Sequence, residues 1–146
     1  MLICALLLPA TAPAAARAQE EPQEGTPQAA DAWTPALTPF SGPKEKLHRN
    51  VSTETRNRLL AECWPGFLCV AAGEGDGQHS VWELYYCTER SLSDFLGAGA
   101  VTNSQGGNAS ARLLRQDRSV YMTVPADYRV PKRVDPWDPV WYIDVC

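Results

Sequence analysis

Phe67-Leu68-Cys69-Val70-Ala71-Ala72-Gly73-Glu74-Gly75-Asp76-Gly77-Gln78-His79-Ser80-Val81-Trp82-Glu83-Leu84-Tyr85-Tyr86-Cys87-Thr88 is the stretch that decides the fold class. Its first six residues form a short apolar run. Gly73 to Gly77 is a turn cluster in which glycine supplies positive φ angles at no steric cost. From Ser80 the pattern alternates, with Trp82, Leu84 and Tyr86 on one face and Val81, Glu83, Tyr85 and Cys87 on the other. A period of two on either side of a glycine turn predicts a β-hairpin, and each of its strands carries a cysteine.

Toward the N-terminus the period changes. Ser52 to Glu62, STETRNRLLAE, is the one convincing helix. The hydroxyl of Ser52 or Thr53 can accept from an orphan N–H of the first turn. Val51, Leu59, Leu60 and Cys63 make a narrow apolar stripe, and Pro65-Gly66 stops the helix. Residues 19–46 read as a disordered linker, because Pro22, Pro27, Pro35, Pro39 and Pro43 lie among Glu, Gln, Thr and Ala. Trp33 and Phe40 interrupt that composition. They read as isolated aromatics in the arm, with a short docking peptide as the alternative. Residues 1–18, MLICALLLPATAPAAARA, have the apolar run and Ala16-Arg17-Ala18 cleavage pattern of a secretory signal peptide.

Toward the C-terminus, Ser91 to Leu96 suggests one helical turn, and Asn103 to Asn108 a second polar turn. Ala111–Arg115 and Ser119–Val124 predict a second hairpin joined at Gln116-Asp117. Pro125 to Pro136 is a proline-punctuated crossing, and Val140 to Val145 a closing strand. Five or six short strands with one helix near residues 52–62 predict a mainly β fold. The expected form is a small disulfide-braced β-sandwich or compact α+β domain over residues 47–146.

The cysteine count points to an oxidising compartment. Removing residues 1–18 takes away Cys4 and leaves Cys63, Cys69, Cys87 and Cys146, enough for two disulfides in any of three pairings. The formal charge moves from −4 to −5, since Arg17 leaves and no acid does. That acidity disfavours nucleic acid, whose phosphates need Lys and Arg. No later run reaches the length of a membrane span. Two sequons, Asn50-Val51-Ser52 and Asn108-Ala109-Ser110, agree with export and glycosylation. The expected localisation is secreted.

Catalytic chemistry finds little support. His48 and His79 are the only histidines. Ser80, His79 and a nearby acid could be assembled into a triad, but no nucleophile-elbow frame surrounds them. Metal ligation would need more nitrogen donors than two histidines supply. Glu74 and Asp76 fall short of a calcium site, and the glycine cluster lacks the Lys and helix of a phosphate loop. The sequence therefore points to no catalytic residue, no metal and no cofactor.

The last dozen residues, Asp135-Pro136-Trp137-Asp138-Pro139-Val140-Trp141-Tyr142-Ile143-Asp144-Val145-Cys146, are the most distinctive. Arg112, Arg115 and Arg118 on the second hairpin, with Arg129, Lys132 and Arg133 on the crossing, could stack on the tail's indole rings. Tryptophan, tyrosine and arginine are also the residues enriched at binding hot spots. A structural ladder and an exposed partner-binding patch use the same atoms, and both readings stay open here.

Trp137-Asp138-Pro139-Val140-Trp141 resembles the W-S-x-W-S box of class I cytokine receptors. It is more similar to the W-D-P-W-V variant in the poxvirus secreted immune-evasion proteins, the group of the parapoxvirus GM-CSF/interleukin-2 inhibitory factor and the chemokine-binding proteins. The second tryptophan falls four residues after the first where that box has three, which puts Trp141 on the opposite strand face. The resemblance implies a β-sandwich that binds a host cytokine or chemokine, with Trp137, Asp138 and Pro139 as the transferred positions. Trp82, Tyr85, Trp141 and Tyr142 complete the expected contact set. The second functional expectation is an accessory subunit of a larger surface or viral glycoprotein complex. A small secreted enzyme is the third.

Overall fold

The computed structural model describes residues 32–40 and 42–146. The signal peptide read over residues 1–18, and the linker as far as residue 31, lie outside the described residues.

Among the described residues the elements in chain order are ten strands and one helix: β1 (Ala36–Thr38), β2 (Lys46–Val51), α1 (Thr53–Ala61), β3 (Leu68–Gly73), β4 (His79–Leu84), β5 (Arg90–Ser93), β6 (Gly99–Asn103), β7 (Ala111–Leu114), β8 (Val120–Val124), β9 (Lys132–Val134) and β10 (Tyr142–Asp144). They form two antiparallel sheets, in the orders β1-β5-β10-β7-β8 and β2-β4-β3-β6-β9. The core between them joins Leu37, Leu113, Val124, Ile143 and Val145 of the first sheet's side to Leu68, Val70, Trp82, Leu84, Val101 and Val134 of the second. The fold is mainly β and sandwich-like, as the hairpin pattern predicts.

The continuous apolar run of β3 has a specific cause. Leu68, Val70 and Ala72 face the inter-sheet core, while Cys69 and Ala71 face Leu60 and Cys63 beneath α1. Covered on both faces, the strand has no solvent side on which to place polar residues. Beside it, β4 sends Trp82 and Leu84 inward and Val81 toward the helix layer. Ser52 caps α1 by accepting from the Thr55 N–H at 3.2 Å. The disulfides pair Cys63 with Cys69 and Cys87 with Cys146. The first ties the helix end to β3, and the second ties the closing strand to the segment after β4.

Three expectations need correction. The linker reading fails beyond Pro35: Leu37 is core, β1 pairs with β5, and Glu45 is buried. A buried ion pair holds this arm. Arg90 Nη2 donates to Glu45 Oε1 at 2.6 Å and to the Tyr86 carbonyl at 3.2 Å, and Arg90 Nη1 donates to the Pro39 carbonyl. Glu45 Oε1 also accepts from the Tyr85 and Tyr86 N–H groups. Residues 91–93 form the end of β5 rather than a helical turn, because pairing to β1 and β10 on both sides outweighs any local helical preference. The crossing contains β9, an edge strand paired to β6.

Candidate functional site

The tail is built around a turn. Val140 N–H donates to the Trp137 carbonyl at 2.7 Å, so Asp138 and Pro139 form the corner. On one side of that corner Trp137 is 0% exposed. Its indole Nε1 donates to the Ala71 carbonyl at 3.1 Å, its backbone N–H donates to the Gly97 carbonyl at 2.6 Å, and its ring meets Phe95 edge-on at 5.1 Å. A Cβ on Gly99 would lie 2.1 Å from the indole nitrogen, so only glycine admits this ring. On the other side Trp141 is 45% exposed. Its backbone is held between strands, with the N–H donating to Leu114 at 2.8 Å and the carbonyl accepting from Leu92 at 2.9 Å.

The expected contact residues thus separate. Trp137 and Trp82 are interior side chains, and neither can touch a partner of the folded domain. Trp82 instead stacks on Phe95 at 5.0 Å. Trp141, Asp138 and Val140 line a cleft of about 280 Å³ with Leu92, Asp94 and Leu96. Pro139 is half-buried at the corner and is not among the lining residues. Asp138 Oδ2 accepts from the Gly97 N–H at 2.9 Å, which fixes the cleft wall. Leu96 is itself exposed, so the cleft presents Trp141 and Leu96 as apolar surface flanked by two carboxylates.

Tyr142 points away from the core on the outer face of its sheet, under the Arg118 guanidinium at 3.9 Å; Arg118 also holds the Glu89 carboxylate. The arginine stacking expected on indoles therefore falls on tyrosines: Arg115 lies over Tyr121, and Arg129 over Tyr128. Tyr85 belongs to the opposite end of the sandwich. Strand β6 starts at Gly99 beside Trp137 and ends at Asn103, which pairs with Leu68. Five residues of strand, roughly 14 Å, separate those ends. At the far end Tyr85 packs against Phe67 at 5.3 Å, and Lys44 lies 4.1 Å from its ring centroid.

That far end carries surface the sequence reading missed. Trp64 is 63% exposed, and Tyr128 and Val130 are exposed as well. Both of their loops fasten to Ser104: Gly66 N–H donates to its carbonyl at 2.8 Å, and Arg129 N–H donates to its hydroxyl at 3.2 Å. No periodicity could have placed them together, since they lie on separate loops.

The sequons sit on exposed asparagines with positive φ, 53° at Asn50 and 60° at Asn108, a region asparagine tolerates well. His79 Nε2 is 3.0 Å from Thr53 Oγ1, and burial, reinforced by the Arg56 charge, lowers its pKa against the opposing pull of Glu74 and Asp76. Ser80 sends its hydroxyl to Glu74 Oε1 at 2.6 Å rather than to His79, because strand neighbours face opposite ways. His48 meets Glu83 Oε1 at 2.8 Å across β2 and β4. Among the described residues no group of three or more His, Cys, Asp or Glu is placed to hold a metal, and no helix is long and apolar enough to cross a membrane.

Comparison with protein families, with characterised proteins and with solved structures finds no match for this chain.

Proposed function

We propose that this chain is a secreted, glycosylated domain that binds an extracellular host protein, a cytokine or chemokine, and acts as a decoy for it. The observation that carries the reading is the cleft at the tail. Trp141 and Leu96 are exposed beside Asp94 and Asp138 on backbone already fixed by neighbouring strands. A rigid aromatic anchor loses little conformational entropy on binding. Flanking carboxylates speed encounter when the ligand is basic. The resemblance to the poxvirus box supports the same reading through Trp137, Asp138 and Pro139, which build the corner that sets Trp141 beside the cleft.

The second reading, an accessory subunit of a larger surface or viral glycoprotein complex, draws on the far end, where Trp64, Tyr128 and Val130 are exposed together. Affinity capture separates the two. The tagged chain, secreted from mammalian cells, is incubated with a mixture of purified cytokines and chemokines and with a cell-surface extract, and retained proteins are identified by mass spectrometry. Recovery of a soluble basic cytokine or chemokine supports the decoy. Recovery of one large membrane glycoprotein alone overturns it in favour of the subunit.

A further inference from the structure

We infer that the apolar cleft at the far end of the sandwich is a carbohydrate subsite, filled by the first sugars of an N-glycan on Asn108. The inference rests on the secreted, glycosylated reading above and adds to it a place where the glycan lies.

The cleft measures about 440 Å³ and is lined by Tyr85, Tyr86, Gln105, Gly106 and Ala109 together with the Cys87–Cys146 disulfide. Residues on both sides of Asn108 therefore form its wall, while Asn108 itself is exposed. The loop that carries the sequon is fixed: Asn103 Nδ2 donates to the Ala109 carbonyl at 2.9 Å and to the Val124 carbonyl at 2.8 Å, and Gln105 N–H donates to Asn103 Oδ1 at 3.1 Å. A glycan attached there starts from a fixed loop, between the lining residues Gly106 and Ala109.

The lining suits a sugar. A tyrosine face carries negative quadrupole charge and attracts the polarised C–H groups on one side of a pyranose ring. Tyr85 and Tyr86 meet edge to face at 5.4 Å, and Tyr86 is backed by Gly42, where a Cβ would fall 2.1 Å from the ring. Both rings are thus held in place, and the Gln105 side chain, fixed by its Nε2 donating to the Val145 carbonyl, keeps a second N–H that can pair with an N-acetyl group.

The consequence is protection of a disulfide. Cys87 and Cys146 are both exposed, whereas Cys63 and Cys69 are buried. A reducing thiolate must reach a sulfur, so access sets the rate. Sugars seated in the cleft cover the Cys87–Cys146 sulfurs and leave the Cys63–Cys69 pair unaffected.

The test uses the full chain secreted from mammalian cells. Dithiothreitol reduction is followed by thiol alkylation and peptide mass spectrometry, which reads the two disulfides separately. Ser110→Ala removes the sequon without altering Asn108, Asn108→Asp removes it at the positive-φ position, and Asn50→Asp removes the other glycan. Reduction of Cys87–Cys146 several-fold faster in both Asn108-site variants, with Asn50→Asp like wild type, is the expected result. Equal rates in glycosylated and Ser110→Ala protein overturn this inference and leave the secreted reading standing. An unmodified Asn108 on a chain glycosylated at Asn50 also overturns it. A chain that enters the pathway and is glycosylated at neither site overturns both.

Discussion

The indole of Trp137 hydrogen-bonds the Ala71 carbonyl across 66 residues of chain, and this single contact ties the tail corner to the middle of the opposite sheet. Ala71 belongs to β3, the strand buried on both faces, so the bond ends in the driest part of the fold. The Gly99 gap makes it possible.

Trp137→Ala and Gly99→Ala are therefore folding variants. Loss of a buried tryptophan costs about 3–5 kcal/mol. A methyl group at Gly99 would press on backbone and indole alike, at 2.2 and 2.1 Å. Both variants lower the thermal midpoint and the secreted yield, while Trp141→Ala stays within about 0.5 kcal/mol of wild type as an exposed site. Chemical denaturation of the three purified chains checks the order, and a Trp141→Ala loss as large as Trp137→Ala contradicts it.

Arg90 and Glu45 form an ion pair with side chains almost wholly removed from water. Removing one partner strands the other charge, so Arg90→Ala is expected to cost roughly 3–5 kcal/mol. Since Glu45 accepts two backbone N–H groups besides, Glu45→Ala orphans those donors too. Urea unfolding of both variants measures this. A loss below about 1 kcal/mol in each, the range of surface pairs, sinks the assignment.

The two disulfides close loops of very different length, with sequence separations of 6 and 59. Loop-closure entropy then makes the Cys87–Cys146 bridge the more stabilising by about 2 kcal/mol. Thermal melts of the Cys63→Ala/Cys69→Ala and Cys87→Ala/Cys146→Ala double variants compare them directly. Equal losses would mean that native contacts rather than chain entropy set the values.

His79 gives the fold a pH dependence. Its pKa is lowered from the ordinary 6.5, chiefly by burial and then by Arg56, so the unfolded chain binds its proton more readily. Its contribution is complete above the unfolded value and is lost as pH falls through 6.5 toward the lower folded value. Wild type should lose more stability than His79→Gln between about pH 7.5 and about pH 5.5, read from urea midpoints. Parallel losses would assign the pH dependence to other groups.

What was legible in the sequence was local. The period-two alternation through Val81 to Leu84 and the cap at Ser52 each write their structure into adjacent residues, and the second hairpin forms where its turn residues stand. The Asp117 carboxylate closes that hairpin by accepting from the Ser119 hydroxyl at 2.6 Å and its N–H at 2.9 Å, and these bonds, the hydroxyl's first, hold its pKa below the usual value. Strands fixed by distant partners were not legible. Gly99 to Asn103 carries two small residues and no alternation, and becomes a strand because Leu68 to Ala72 lies beside it. Ala36 to Thr38 looked like linker because its partner, β5, comes more than fifty residues later. At the candidate site, the aromatic tail was visible but its division was not. Which tryptophan turns inward depends on the Gly99 gap and the corner at Asp138-Pro139, and neither follows from composition.

The most direct measurement is the affinity of the captured ligand for wild type and Trp141→Ala, by surface biosensor at two salt concentrations. Trp141→Ala is predicted to weaken Kd by about thirtyfold, equivalent to about 2 kcal/mol, while its unfolding curve matches wild type. Added salt is predicted to slow association through loss of the Asp94 and Asp138 attraction. An unchanged Kd in a folded Trp141→Ala chain would contradict the central claim that the tail cleft is the contact surface.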